Sequence, residues 1–229
     1  MSLNIHERKI MRDRWYGDNR DLIKWGGIKI LCKDKGINKI FWVAYLREDC
    51  WTDIKFDDNI IPVPVPDEVI RHFKSIRQNM SQLRETLDLD IILVDDEIGE
   101  KYSHQNRVKY TKLICEYIKN NADVNKVVFL DPDTGLEPNR LEETHVSKDE
   151  IKQIWKPLKV GDYLVFYQHK FWPTTGNWKD IRKDQFANCC NNENDVKMWC
   201  ADDFPTNNDF AKLASDVVFY FIKKKDLSA

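Results

Sequence analysis

The chain repeats one pattern that strongly limits its fold: short, nearly continuous apolar runs separated by stretches with helical spacing. Ile40 to Leu46, Leu89 to Val94, Lys126 to Leu130, Tyr163 to Tyr167, Val196 to Cys200 and Val217 to Ile222 are the runs. They are too short for helices and lack the polar alternation of strands with one wet face, so they read as strands buried on both sides. Between them Asp21 to Lys33, Asp67 to Arg84, Arg107 to Lys119, Ser147 to Trp155 and Lys179 to Cys189 have helical patterns. Strands alternating with helices predict an α/β fold of three layers, a mostly parallel, doubly wound, Rossmann-like sheet. At 229 residues, positions 1–229 are expected to form a single α/β domain.

Local signals refine this outline. Ser147 and Glu150 have capping-box spacing, in which each side chain satisfies the other's backbone donor. Pro66-Asp67 is a helix start signal. Gly26 and Gly27 count against the first helix, because glycine disfavours helix interiors. In the third stretch, Arg107 to Lys119, Val108, Leu113, Ile114 and Ile118 are expected on one face. Ile60-Ile61-Pro62-Val63-Pro64-Val65-Pro66 must be extended, since residues before proline avoid the helical region.

Composition excludes several classes. With 42% hydrophobic residues, eight Trp, eight Tyr and eleven Phe, the chain is not disordered. A net charge of −2, from 36 basic and 38 acidic side chains, argues against wide phosphate contact but leaves room for a local basic patch. No run approaches the roughly 20 apolar residues of a membrane helix. The start, Met1 to Tyr16, lacks the apolar core of a secretion signal. A cytoplasmic location without membrane association is therefore expected. The six cysteines, Cys32, Cys50, Cys115, Cys189, Cys190 and Cys200, form no CxxC pair and no four-ligand zinc spacing. They read as reduced thiols, several of them buried.

Ligands of open α/β sheets bind beyond the carboxyl ends of the strands, which directs attention to three places. After the strand at Leu130 comes Asp131-Pro132-Asp133-Thr134-Gly135-Leu136-Glu137-Pro138. Its acids can accept a proton, orient an amine or hold a divalent cation; equally, Asp-Pro with Gly135 at positive φ makes an ordinary turn. After Tyr167 comes Gln168-His169-Lys170-Phe171-Trp172-Pro173, suited to hydrogen-bonding and stacking a planar base or simply to closing a strand. Before the first helix lies Gly17-Asp18-Asn19-Arg20-Asp21-Leu22-Ile23-Lys24-Trp25. Asp18 is a natural N-cap, and Asp21 and Lys24 share a helix face and can pair. Asp95-Asp96-Glu97 and Asp202-Asp203 also follow strands and read more simply as solvated turns. Lys223-Lys224-Lys225 reads as a solvated tail.

Taken together these stretches resemble a family of uncharacterised proteins with the patterns GDxxDLxKW, FLDPDxGLE and YQH, which span nearly the whole chain. More distantly they resemble the adenine-N6 methyltransferases of large-subunit ribosomal RNA. Gly17, Asp21 and Lys24 match that family's opening Gly-Asn-x-x-Asp-x-x-Lys-His stretch, with Asp18 in place of Asn and Trp25 in place of His. Asp131-Pro132 match the first half of its Asp-Pro-Pro-Tyr motif, while Asp133-Thr134 replace Pro-Tyr. The resemblance implies a methyltransferase-like fold using S-adenosylmethionine. Gly17, Asp18, Asp21 and Lys24 would bind the cofactor. Asp131, Asp133 and His169 would be catalytic, with Asp131 accepting hydrogen bonds from the adenine amino group. Glu137 and Gln168 would contact the nucleic-acid substrate. The glycine-rich turn expected after the first strand is absent, for Arg47-Glu48-Asp49-Cys50 stand there.

Three functions follow. The first is S-adenosylmethionine-dependent N-methylation of an adenine in nucleic acid. The second is a metal-dependent nuclease or phosphoesterase, with a divalent cation on Asp18, Asp131, Asp133 and Glu137 and His169 as general base. The third is a non-enzymatic binding protein on a methyltransferase-like scaffold, its tryptophans supplying contact area.

Overall fold

Each apolar run does become a strand, and the strands form one sheet. The computed structural model describes residues 19–46, 68–69, 83–138, 140–142, 144–170, 177–191, 195–200 and 215–226. In chain order these are α1 (Asn19–Lys35), β1 (Lys39–Val43), α2 (Leu83–Leu87), β2 (Asp90–Leu93), α3 (Val94–Ile98), α4 (Arg107–Asn120), β3 (Lys126–Leu130), β4 (Gly135–Leu136), β5 (His145–Val146), α5 (Lys148–Trp155), β6 (Tyr163–His169), α6 (Trp178–Cys189), β7 (Lys197–Cys200) and β8 (Val217–Lys223).

Six strands pair in the order β2-β1-β3-β6-β8-β7. β2, β1, β3 and β6 are mutually parallel, and β8 runs antiparallel between β6 and β7. Alternate residues of each strand serve opposite layers. Ile40, Trp42, Val127, Phe129, Val165 and Tyr167 pack against Leu22, Ile23, Trp25 and Ile28 of α1 and against Leu83 and Leu87 of α2. Phe41, Val43, Val128, Leu130, Leu164 and Phe166 face α4, α5 and α6 on the other side. This is the doubly wound, three-layer α/β architecture, with burial on both faces accounting for the solid apolar runs. Among the described residues, no helix is long and apolar enough to cross a membrane.

Several local expectations hold. Ser147 and Glu150 make the full capping box at the head of α5. β3 spans the expected Lys126 to Leu130. The glycines do not break α1: a Cβ at Gly27 would lie 0.9 Å from the Trp199 ring, so Gly27 is the gap that lets β7 approach the helix.

Other expectations need correction. β1 ends at Val43, three residues early. β6 runs on through Gln168 and His169, because β8 pairs beside it to its end. Val108 is 81% exposed and Leu113 only partly buried, since α4 turns Arg107, Tyr110, Thr111, Ile114 and Ile118 inward. Asp95-Asp96-Glu97 form the short α3, not a turn, and Asp95 is buried. Lys224 is no solvated tail: its ammonium lies over the Trp155 ring and donates to the Trp155 carbonyl. The two-residue parallel pair β4–β5 has no counterpart in the apolar pattern. The expected helix Asp67 to Arg84 falls within the described residues only at Glu68, Val69, Leu83 and Arg84. Arg47–Cys50, the proline-rich stretch, Phe171–Pro173 and Asp202–Asp203 lie outside them.

Candidate functional site

From β1 the chain crosses to β2 on one side and then returns to β3 on the other. That reversal is a topological switch point, where open α/β sheets hold ligands beyond the carboxyl ends of the strands. Asp131 is the first residue past β3, and its backbone N–H donates to the Val43 carbonyl at the end of β1. Tyr167 and His169 close β6. β8 is antiparallel to β6, with His169 opposite Val217, so Asp216 arrives at the same edge.

The centre is a buried ionic cluster. Lys24 Nζ lies 2.7 Å from Asp21 Oδ1 and 2.9 Å from Asp131 Oδ2. The indole Nε1 of Trp42, next to the carboxyl end of β1, donates to the same Asp131 Oδ2 at 3.0 Å. The Tyr167 ring stands 5.4 Å from the ammonium. Asp21, Lys24 and Asp131 are all buried. Burial by itself lowers the Lys24 pKa; the Asp131 and Asp21 carboxylates outweigh it and hold the group above the ordinary lysine value. The ammonium is therefore a permanent counter-ion, not a base. Residues from two of the three stretches singled out in the sequence thus meet here, with Lys24 and Asp131 separated by 107 positions, and Tyr167, the strand residue just before the third, stands beside them.

A second, more open cluster adjoins it through Arg20, the neighbour of Asp21. Arg20 holds Asp216 by Nη2–Oδ2 at 2.5 Å and Nε–Oδ1 at 3.3 Å. His169 Nε2 lies 3.0 Å from Asp216 Oδ2, and its Nδ1 lies 2.9 Å from the Lys170 carbonyl oxygen. These side chains are about one-third exposed. Burial alone would raise the Asp216 pKa, but hydrogen bonds from His169 and Arg20 bring it well below the usual carboxylate range. Both ring nitrogens of His169 face acceptors, so its side chain ties β6 to the start of β8 and, through Asp216, to α1.

Gln168 and Glu137 engage the protein's own backbone. Gln168 Oε1 accepts from Leu136 N at 2.9 Å, and its Nε2 donates to the Thr134 and His169 carbonyls. Gly135 has φ +111°, and a Cβ there would come within 2.6 Å of the Gln168 amide. The glycine therefore serves both the turn and its brace. Glu137 Oε1 accepts from Lys148 N, the first residue of α5. Asp133 is half-buried in the same loop. Gly17 and Asp18 lie outside the described residues.

No glycine follows β1, yet the left-handed turn is made all the same. Tyr45 has φ +53°, a region that costs a side-chain-bearing residue about 1–2 kcal/mol. Its ring is buried against Tyr102 and Tyr110 at centroid distances of 5.2 and 5.6 Å. Asp95 clamps the turn, its Oδ2 accepting from Ala44 N and its Oδ1 from Leu46 N, both at 2.9 Å, while Tyr110 donates to Oδ1 at 2.6 Å. Asp95, which reads from sequence as part of a solvated turn, is thus a buried brace for the exit of β1.

Burial pushes the thiols upward, Cys32 to about 12 and Cys115 and Cys189 to about 11. They remain inert thiols, and no cysteine is in a disulfide among the described residues. No group of three or more His, Cys, Asp or Glu residues is placed to hold a metal ion among the described residues. Sequence reasoning missed Trp42, Arg20 and Asp216. Arg20 had a signal in its adjacency to Asp21. Trp42 reads as one more core aromatic. Asp216 becomes visible only once β8 is known to run antiparallel.

No family model matches the chain, and no curated protein matches it. Among solved structures, the chain is similar to the crystal structure of a DUF574 family protein from Streptomyces avermitilis MA-4680. The TM-score is 0.39 at 10% identity, with 90% of this chain and 82% of that one covered.

Proposed function

We propose that this chain is a methyltransferase-like protein that uses S-adenosylmethionine to methylate the amino group of an adenine in nucleic acid. The observation that carries the reading is the convergence of Asp21, Lys24 and Asp131 at the switch-point edge. The side chains fit such a cofactor in two respects. Carboxylates beside aromatic faces suit a ligand with cationic sulfonium and ammonium centres. Asp95 already occupies the amides of Ala44 and Leu46, so these donors do not serve a phosphate, and S-adenosylmethionine carries none.

Asp21 and Lys24 would line the cofactor, which when bound supplies an electrophilic methyl group. Lys24 keeps a positive charge against Asp131 and so favours the ionised carboxylate. An ionised Asp131 accepts a hydrogen bond from the adenine amino group and orients it for transfer. Gln168 and Glu137 act on the substrate indirectly, by bracing the loop that carries Asp131 and Asp133.

The test is the melting temperature with and without S-adenosylmethionine and its demethylated product. At 100 times the dissociation constant a ligand stabilises by about 2.7 kcal/mol, a rise of roughly 5–10 °C for a chain of this size. Such a rise, followed by methyl transfer to adenine-containing RNA, is expected. A rise without transfer to any nucleic acid would favour the non-enzymatic binding protein. No rise with either compound, and a rise with manganese, would favour the metal-dependent hydrolase.

A further inference from the structure

We infer that Trp42 is a positioning residue for Asp131, supplying the direction of the carboxylate where Lys24 supplies its charge. This inference rests on the methyl-transfer reading for its functional consequence, though not for its physical content. Two donors converge on one oxygen: Lys24 Nζ at 2.9 Å from α1 and Trp42 Nε1 at 3.0 Å from β1. They differ in kind. The lysine reaches Asp131 at the end of a four-carbon stem. The indole sits on a central strand whose backbone is paired on both sides, Trp42 opposite Leu93 in β2 and opposite Phe129 in β3. Its ring is fixed by Trp25 at a centroid distance of 4.8 Å and an interplanar angle of 85°, an edge-to-face geometry that aromatic pairs prefer.

Phenylalanine or leucine would meet the packing requirement of this position, which is otherwise an apolar face. What tryptophan adds is a rigid, uncharged N–H aimed at a buried carboxylate. An uncharged donor holds the oxygen without adding charge to a cluster that already contains an ammonium. Asp131 is thereby held from the sheet as well as from the helix, which under the proposed function fixes the direction in which it would meet the amine.

The experiment compares wild type, Trp42→Phe and Asp131→Asn. In ¹H–¹⁵N spectra of the whole chain, the indole resonance missing from Trp42→Phe identifies Trp42. That resonance should move upfield in Asp131→Asn, because the acceptor loses its charge. In methyl transfer to adenine-containing RNA, Trp42→Phe should lower kcat by roughly ten- to hundredfold, the value of a hydrogen bond to a charged group. KM for S-adenosylmethionine and the cofactor-induced melting shift should stay as in wild type. An unmoved Trp42 resonance in Asp131→Asn would overturn the inference, as would a wild-type kcat in Trp42→Phe. If wild type neither binds the cofactor nor transfers a methyl group, the functional reading fails on its own. The indole resonance then decides the positioning role. It does so even if Trp42→Phe does not fold, through assignment of the indole in wild type by standard triple-resonance spectra.

Discussion

β3 carries a buried lysine–aspartate pair at each end, and the two are built differently. At the amino end Lys126 Nζ meets Asp162 Oδ2 at 3.1 Å, with both side chains fully buried. Asp162 also accepts from the backbone N–H groups of Lys126 and Lys159, and Lys126 donates to the Val124 carbonyl. At the carboxyl end Lys24 serves two carboxylates, and Asp131 Oδ2 takes its hydrogen bonds from two side chains, Lys24 and Trp42. The same ion pair therefore does two jobs. Bound to backbone, it fixes where strands and loops begin. Bound to side chains at a switch point, it can change partners without undoing secondary structure.

The largest effect that would sharpen this contrast is expected at the amino end. Asp162→Asn leaves a buried lysine without its counter-charge and should cost about 3–5 kcal/mol in urea unfolding. Asp131→Asn should cost less, about 1–3 kcal/mol, because Lys24 keeps Asp21 at 2.7 Å. Under the proposed function it should nevertheless abolish methyl transfer. Equal stability losses at the two ends would break the comparison.

The smallest effect concerns the open cluster beside the carboxyl-end pair, read by stability against pH. The Asp216 pKa is depressed in the fold, so its contribution is present above the unfolded aspartate value near 3.9 and lost as the pH falls below it. Asp216→Asn should flatten that acid limb by about 1 kcal/mol or less, as suits a pair one-third exposed. Asp95 and Glu150 have the opposite sign. Burial raises both, so the folded chain binds their protons more readily and gains stability as the pH falls from neutrality toward their unfolded values. An acid limb unchanged in Asp216→Asn would show that the open cluster contributes nothing to the fold.

What the sequence made legible was whatever depends on near neighbours. Burial on both faces leaves a continuous apolar run, and so β3 could be bounded to the residue. Ser147 and Glu150 could be paired because their contact is local. Asp131 stands out by residue type and strand-end position, and Asp21 and Lys24 by their spacing on one helix face. Other features depend on register and direction. Asp95 reads as a solvent-facing acid until β1 and β2 are aligned, when its carboxylate proves to lie against the amides of Ala44 and Leu46. The ring of Tyr45 at positive φ gives no local sign, because the turn chemistry that glycine normally signals is enforced by tertiary packing. Gln168 and His169, expected beyond β6, lie within it because β8 continues alongside.

The notch at Gly27 works as a keyway. The Trp199 ring fills the place of a side chain there, so a shift of α1 that brings Ile28 or any other residue with a Cβ to that place drives it into the ring. Lys24 stands one helical turn before the notch. Its reach to Asp131, in the middle of the sheet, is therefore indexed from β7 at the sheet's edge. A one-residue insertion between Lys24 and Gly27 would leave every ion-pairing residue in the chain and still move the lysine about 100° around the helix, out of register with its acids.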